Sequence, residues 1–211
     1  METILETLKY KNHTIDIVQD ENAPNPRTEY DNVGKMICFH RHYSLGDKHN
    51  YSSPDDLQSR ILSDFGPSPV ILSLYLYDHS GITMSTPPFS CQWDSGQVGI
   101  IVCSRKTAIK EWGKKVFSSS VKKKALAYLE SELIVYNKYL TGQFCGYVIK
   151  DKTGSTIDSL WAIDDTAYAI SEAKNHIDCI VKDALNKRIA QLKAFIRNRV
   201  SLESRQLKFN A

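Results

Sequence analysis

Val70-Ile71-Leu72-Ser73-Leu74-Tyr75-Leu76-Tyr77 runs into Asp78-His79-Ser80-Gly81 and on into Ile82-Thr83-Met84-Ser85. The first run is too short for a core helix and too rich in aliphatic and aromatic side chains for a loop, so it reads as a strand. Asp78 to Gly81 are turn formers, and 81–85 reads as the return arm of a hairpin. Two further runs of the same character, at 35–43 and 97–104, belong beside it. The expected centre of the molecule is therefore a mainly antiparallel sheet.

Outward from that sheet, a second hairpin is expected at 9–20, with Asn12-His13 as its turn. The stretch Asn22-Ala23-Pro24-Asn25-Pro26-Arg27 cannot continue a ladder, because proline lacks the donor, and reads as an exposed loop. Ser53-Pro54-Asp55-Asp56 supplies a capping hydroxyl, a proline for the first helical position and acids for the first turn, which predicts a short helix to about residue 64. A short basic helix is predicted at 106–117 and a longer one at 119–140, where Val121, Ala125, Tyr128-Leu129, Leu133, Tyr136 and Leu140 recur at helical spacing. Asp151-Lys152-Thr153-Gly154 then marks a turn between strands at 144–149 and 156–163.

After Asp164-Asp165-Thr166, the residues Ile177, Val181, Leu185, Ile189, Leu192, Ile196 and Val200 trace one stripe of a terminal helix. Thirty residues would span about 45 Å, more than a compact domain of this size needs, so the helix is expected to protrude or to pair with a second copy. The expected architecture is a single α+β domain over residues 1–211, sheet-rich through 104, helix-rich from 105, and closed by a long C-terminal helix.

Composition agrees with a folded chain: 42% of the residues are hydrophobic and 10% aromatic, ample for one core. Glu2 and Glu6 stand where a signal peptide carries basic residues, and no apolar run approaches the roughly 20 residues of a membrane span. A cytoplasmic protein with no membrane partner is expected. Five scattered cysteines without a Cys-x-x-Cys pair argue against a disulfide framework or a zinc knuckle, and only Cys91, in a polar loop beside Trp93, invites a reactive role.

Charge is unevenly spread. Residues 1–104 carry 7 lysines and arginines against 13 acids, whereas residues 105–211 carry 20 against 11. A uniformly acidic mimic of nucleic acid is excluded by that balance. The basic half concentrates Lys114, Lys115, Lys122, Lys123 and Lys124, a surface able to contact phosphates, with Trp112 and Phe117 interleaved as candidate stacking rings.

The chemistry-bearing residues cluster where the predicted strands end. His40-Arg41-His42-Tyr43-Ser44-Leu45-Gly46-Asp47, Asp78-His79-Ser80-Gly81 and Trp93-Asp94-Ser95-Gly96-Gln97-Val98-Gly99 each adjoin a strand run. On a strand through residue 43, His40 and His42 would share a face. His40, His42, His79 and Asp94 are the candidate catalytic residues: two histidines with nearby carboxylates suit zinc or manganese, and Ser80 or Ser95 with His79 and Asp94 would suit a nucleophile, base and orienter. The competing reading is that the acids cap turns and the histidines satisfy backbone groups. No His-Glu-x-x-His, Gly-x-Ser-x-Gly or phosphate-cradling glycine motif is present, and neither a metal nor another cofactor is expected. Trp93 beside Asp94-Ser95-Gly96 is a candidate binding residue, an aromatic wall next to backbone donors.

The succession of Glu29-Tyr30-Asp31-Asn32-Val33-Gly34, the His40 to Asp47 segment, Leu74-Tyr75-Leu76-Tyr77-Asp78-His79-Ser80-Gly81 and Phe89-Ser90-Cys91-Gln92-Trp93-Asp94-Ser95-Gly96-Gln97-Val98-Gly99 resembles a family of uncharacterised proteins encoded by bacteriophages and related mobile elements. The resemblance covers mainly residues 9–104. It implies an accessory protein acting in the host bacterial cytoplasm by binding, and inhibiting or redirecting, a host protein or ribonucleoprotein such as a defence effector, in the manner of an anti-CRISPR. The alternative expectation is a metal-assisted hydrolase or nuclease built on the His and Asp loops.

Overall fold

The computed structural model describes residues 3–199. Strands β1 (Ile4–Tyr10) and β2 (His13–Gln19) and helix α1 (Pro26–Glu29) are followed by β3 (Lys35–Cys38), α2 (Pro54–Phe65), β4 (Val70–Asp78), β5 (Ile82–Ser85) and β6 (Ser95–Cys103). Helices α3 (Arg105–Glu111) and α4 (Ser119–Leu140), strands β7 (Cys145–Lys150) and β8 (Thr156–Ile163), and helix α5 (Thr166–Arg199) complete the order. The fold is mixed α+β, with two four-stranded antiparallel sheets, β1-β2-β7-β8 and β3-β6-β4-β5, and a long C-terminal helix. Two compact units result. One joins the chain through Gln19 to the chain from Cys145, and the other is Asp20–Phe144.

In the first unit the hairpin turn falls on Lys11 and Asn12, at φ 45° and 62°, one residue earlier than expected. Two successive left-handed residues match the right-handed twist of the arms, and Asn tolerates that conformation well. The first arm reaches back to Ile4, and β2 then pairs with β7 across more than a hundred residues of chain, Ile15 opposite Ile149 and Ile17 opposite Tyr147. Asp165 caps α5 by accepting the backbone N–H groups of Ala167 and Tyr168 at 2.8 and 3.1 Å. Ala169, Ala173 and Ile177 of that helix then pack on Ile15, Ile17, Tyr147 and Ile149.

Asp16 ties three strands of this sheet together. Its carboxylate accepts Thr7 Oγ1 from β1 and Lys150 Nζ from β7, both at 2.7 Å. The bond from Lys150, helped by Thr7 and opposed by burial, holds its pKa below the ordinary value. A carboxylate depressed in the folded state contributes stability above its unfolded pKa of about 4 and loses it as the pH falls through the folded value. The thermal midpoint is therefore expected to fall on acidification below about pH 4. Asp16→Asn is expected to be less stable at neutral pH and to show a shallower acid limb; parallel curves for the two proteins would refute the assignment.

In the second unit, β6 lies between β3 and β4, and α4 covers one face through Val121, Ala125, Leu129, Leu133 and Tyr136, which meet Met36, Leu74, Leu76 and Ile101. These residues of the expected stripe are buried as their spacing requires, whereas Leu140 is half-buried and Tyr128 is exposed. Helix α3 is shorter than 106–117 because Trp112 ends it and Gly113 turns left-handed at φ 57°. Strand β3 is also shorter than expected. It ends at Cys38, and its ladder closes with Phe39 N–H donating to Val98 O at 2.7 Å.

The largest departure from expectation lies in the proline-flanked segment. Asn25 accepts the N–H of Arg27 and Pro26 opens a single helical turn, so the segment is not the exposed loop its composition suggests. The Arg27 side chain is fully buried. All five of its N–H donors find acceptors: Nε and one terminal nitrogen bind both oxygens of Asp47, and the rest reach Asn32 Oδ1, Glu132 Oε2 and the carbonyl of Gly34, at 2.7 to 2.9 Å. Glu132, on α4, spends its other oxygen on the N–H groups of Val33 and Gly34, and Asp47 also accepts Met36 N–H. Burial works against the guanidinium charge, but the bonds to Asp47 and Glu132 outweigh it and raise its pKa above the ordinary value.

Candidate functional site

Because β3 and β4 both run antiparallel to β6, the ends of β3 and β4 and the start of β6 meet at one end of the second sheet. The three polar segments emerge there. Phe39, His40, Arg41, Leu76, Asp78 and residues 93–98 line a shallow groove of about 380 Å³. His40 and Asp94 thus share a groove with Trp93, and His79 joins them by pairing its Nδ1 with Asp94 Oδ2 at 3.4 Å.

The local bonds show what each side chain does. His40 is not on a strand: its Nδ1 accepts the backbone N–H groups of His42 and Tyr43 at 3.3 and 3.2 Å, and its ring stacks on Tyr43 at 5.0 Å. With the strand ending at Cys38, the shared-face argument for His40 and His42 fails, and the two rings meet edge to face at 5.9 Å. His42 lines a neighbouring concavity of about 680 Å³ with Lys48 and His49. Tyr43 donates its hydroxyl to Asp78 at 3.3 Å, and the negative charge of Asp78 raises the phenol pKa. Asp94 Oδ2 also receives the Cys91 thiol at 3.6 Å, and its carbonyl takes Asp78 N–H.

Ser95 donates its hydroxyl to the carbonyl of Cys91, so it closes the loop entering β6. Ser80 sits in the tight β4–β5 turn at φ 57°. Neither hydroxyl is held by His79, whose ring is 64% exposed. Among the described residues no group of three or more His, Cys, Asp or Glu side chains is placed to hold a metal ion. Cys38 is pushed up to about 12, chiefly by burial, and Cys103 to about 11 for the same reason, which leaves both thiols protonated.

Trp93 behaves differently from all of these. Its indole is 95% exposed, on a loop otherwise held by Cys91, Asp94 and Ser95. Beyond the groove, across the shared residues Phe39, Gln97 and Val98, lies an apolar cleft of about 570 Å³ between α2 and the sheet, lined by Leu57, Ile61, Ile71 and Ile100. Sequence reasoning passed over this cleft, although the apolar residues of α2 are its signal.

Lys114 and Lys115 follow α3, and Lys122, Lys123 and Lys124 lie in the opening turns of α4; all five are exposed. The interleaved aromatics are not free platforms. Trp112 meets Tyr128 edge to face at 6.2 Å, Phe117 lies under the Arg105 guanidinium at 5.0 Å, and both pack on the core. No protein-family model, curated protein or solved structure matches this chain.

Proposed function

We propose that the protein is a binding module: an accessory factor of a bacteriophage or mobile element that engages a host protein or ribonucleoprotein in the bacterial cytoplasm and inhibits or redirects it, a defence effector being the target class. The observation that carries this reading is the exposed Trp93 indole at the mouth of a groove whose histidines and acids are occupied with local hydrogen bonds. An aromatic anchor ringed by polar groups is the usual composition of an interface centre, and Arg41, lining the same groove, and Tyr43, bonded to its Asp78, fit that pattern. The five exposed lysines supply a second contact, toward the nucleic-acid part of a ribonucleoprotein. The competing reading is a metal-assisted hydrolase or nuclease using His40, His42, His79 and nearby aspartates, and the observation in its favour is the His79–Asp94 pair.

The test is phage plating on a bacterium armed with a defined CRISPR nuclease, in cells expressing the protein or a variant. Wild type is expected to restore plating. Replacing Lys114, Lys115, Lys122, Lys123 and Lys124 by Glu is expected to abolish that effect with the melting curve unchanged, while His40→Ala and His79→Ala act only as far as they lower stability, about 1 kcal/mol each. Folded histidine variants that lose all activity yet still bind their target would favour the hydrolase.

A further inference from the structure

Helix α5 changes character along its length. Ala169, Ala173 and Ile177 are buried, but Val181, Leu185, Ile189, Leu192, Phe195 and Ile196 are 38 to 57% exposed. On the α-helical period these six fall within an arc of about 120°, a face wide enough to be buried against something. Over the same stretch Lys182, Lys187, Arg188, Lys193, Arg197 and Arg199 stand against a single acid, Asp183. Lys182 and Lys193 border the apolar arc, and the Arg199 guanidinium lies over the Phe195 ring at 5.6 Å. The Val200 position of the expected stripe lies outside the described residues.

From this pairing of an unpartnered apolar face with a basic flank, we propose that residues 181–199 form an interfacial helix, about 28 Å long, that lies on an anionic lipid surface. A second copy, the occupant suggested by helix length alone, would bring two strongly basic segments side by side. Nucleic acid would neutralise the lysines and arginines but leave the apolar arc in water. Arg188 decides against a closed protein groove: it falls inside the arc, between Phe195 and Val181, where a protein partner would have to bury its charge. At a bilayer the same side chain reaches up to the phosphate level while its stem stays among the acyl chains. Such a helix spans nothing, in keeping with the finding that no helix of the described residues is long and apolar enough to cross a membrane.

The experiment is co-sedimentation of the full-length protein with phosphatidylcholine vesicles, with and without phosphatidylglycerol, across a salt series. Binding is expected only with phosphatidylglycerol, weakening as salt rises. Leu192→Glu with Ile196→Glu is expected to reduce it at least tenfold, and Lys182→Glu with Lys193→Glu to remove the preference for the anionic vesicle. All four positions are exposed, so the circular dichroism and melting midpoint of both variants should match wild type. The proposal is overturned if neither vesicle is bound, if the Leu192→Glu/Ile196→Glu variant binds as wild type does, or if sedimentation velocity instead shows a dimer that this variant dissociates.

Discussion

Arg27→Met is expected to destabilise the Asp20–Phe144 unit by about 3–5 kcal/mol, the largest effect of any single substitution considered for the fold. Methionine matches the arginine stem in length but strands the charges of Glu132 and Asp47, the first almost fully buried, and removes the acceptor-matched donors from Asn32 and Gly34. The network also holds residues 26–34 and 45–47 against α4, so its loss frees both loops together. Urea unfolding of the variant beside wild type gives the measurement. Adding Glu132→Gln is expected to recover part of the loss, because the amide keeps an oxygen for Val33 and Gly34 N–H while relieving the unpaired charge. A cost below about 1 kcal/mol for Arg27→Met would mean that water reaches the site and that the network is weaker than its geometry implies.

Trp93→Ala is expected to have the opposite signature: a loss of target binding of at least about a hundredfold with no change in stability beyond about 0.5 kcal/mol. An indole held in water contributes almost nothing to folding, yet its burial against a partner releases the largest apolar area any side chain can offer. The variant should therefore fold, melt as wild type and fail to restore phage plating. Retention of full activity by Trp93→Ala would remove the groove mouth from the contact surface. Loss of stability in step with loss of activity would show the indole to be packed in solution.

How far these residues could be read from sequence depended on the range of the forces involved. The hairpin at Val70 to Ser85, the capped start of α2, the span of α4 and the Asp151 to Gly154 turn are local matters of side-chain period, capping oxygens and turn formers, and each lies within a residue or two of its expected place. That the three polar segments adjoin strand ends was equally legible, but their meeting at one edge required β6 to insert between β3 and β4, an order that no local signal sets. The extent of β3 was not legible either, because after Phe39 N–H bonds Val98 O the chain leaves the ladder and His40 turns its ring onto the following N–H groups, while β6 continues along β4.

By itself, then, the sequence determined the element types, the antiparallel pairing within hairpins, the buried stripe of α4 and the placement of polar residues at strand ends, all consequences of neighbours a few positions apart. Only the tertiary structure decided that β2 pairs with β7 and that Arg27 is a buried strut. It likewise decided that Trp93 is left in water while Trp112 packs on the core. Each of these depends on a partner distant in the chain. Glu132 stands 105 residues from Arg27, and nothing near a lone arginine after two prolines announces that its charge will be met.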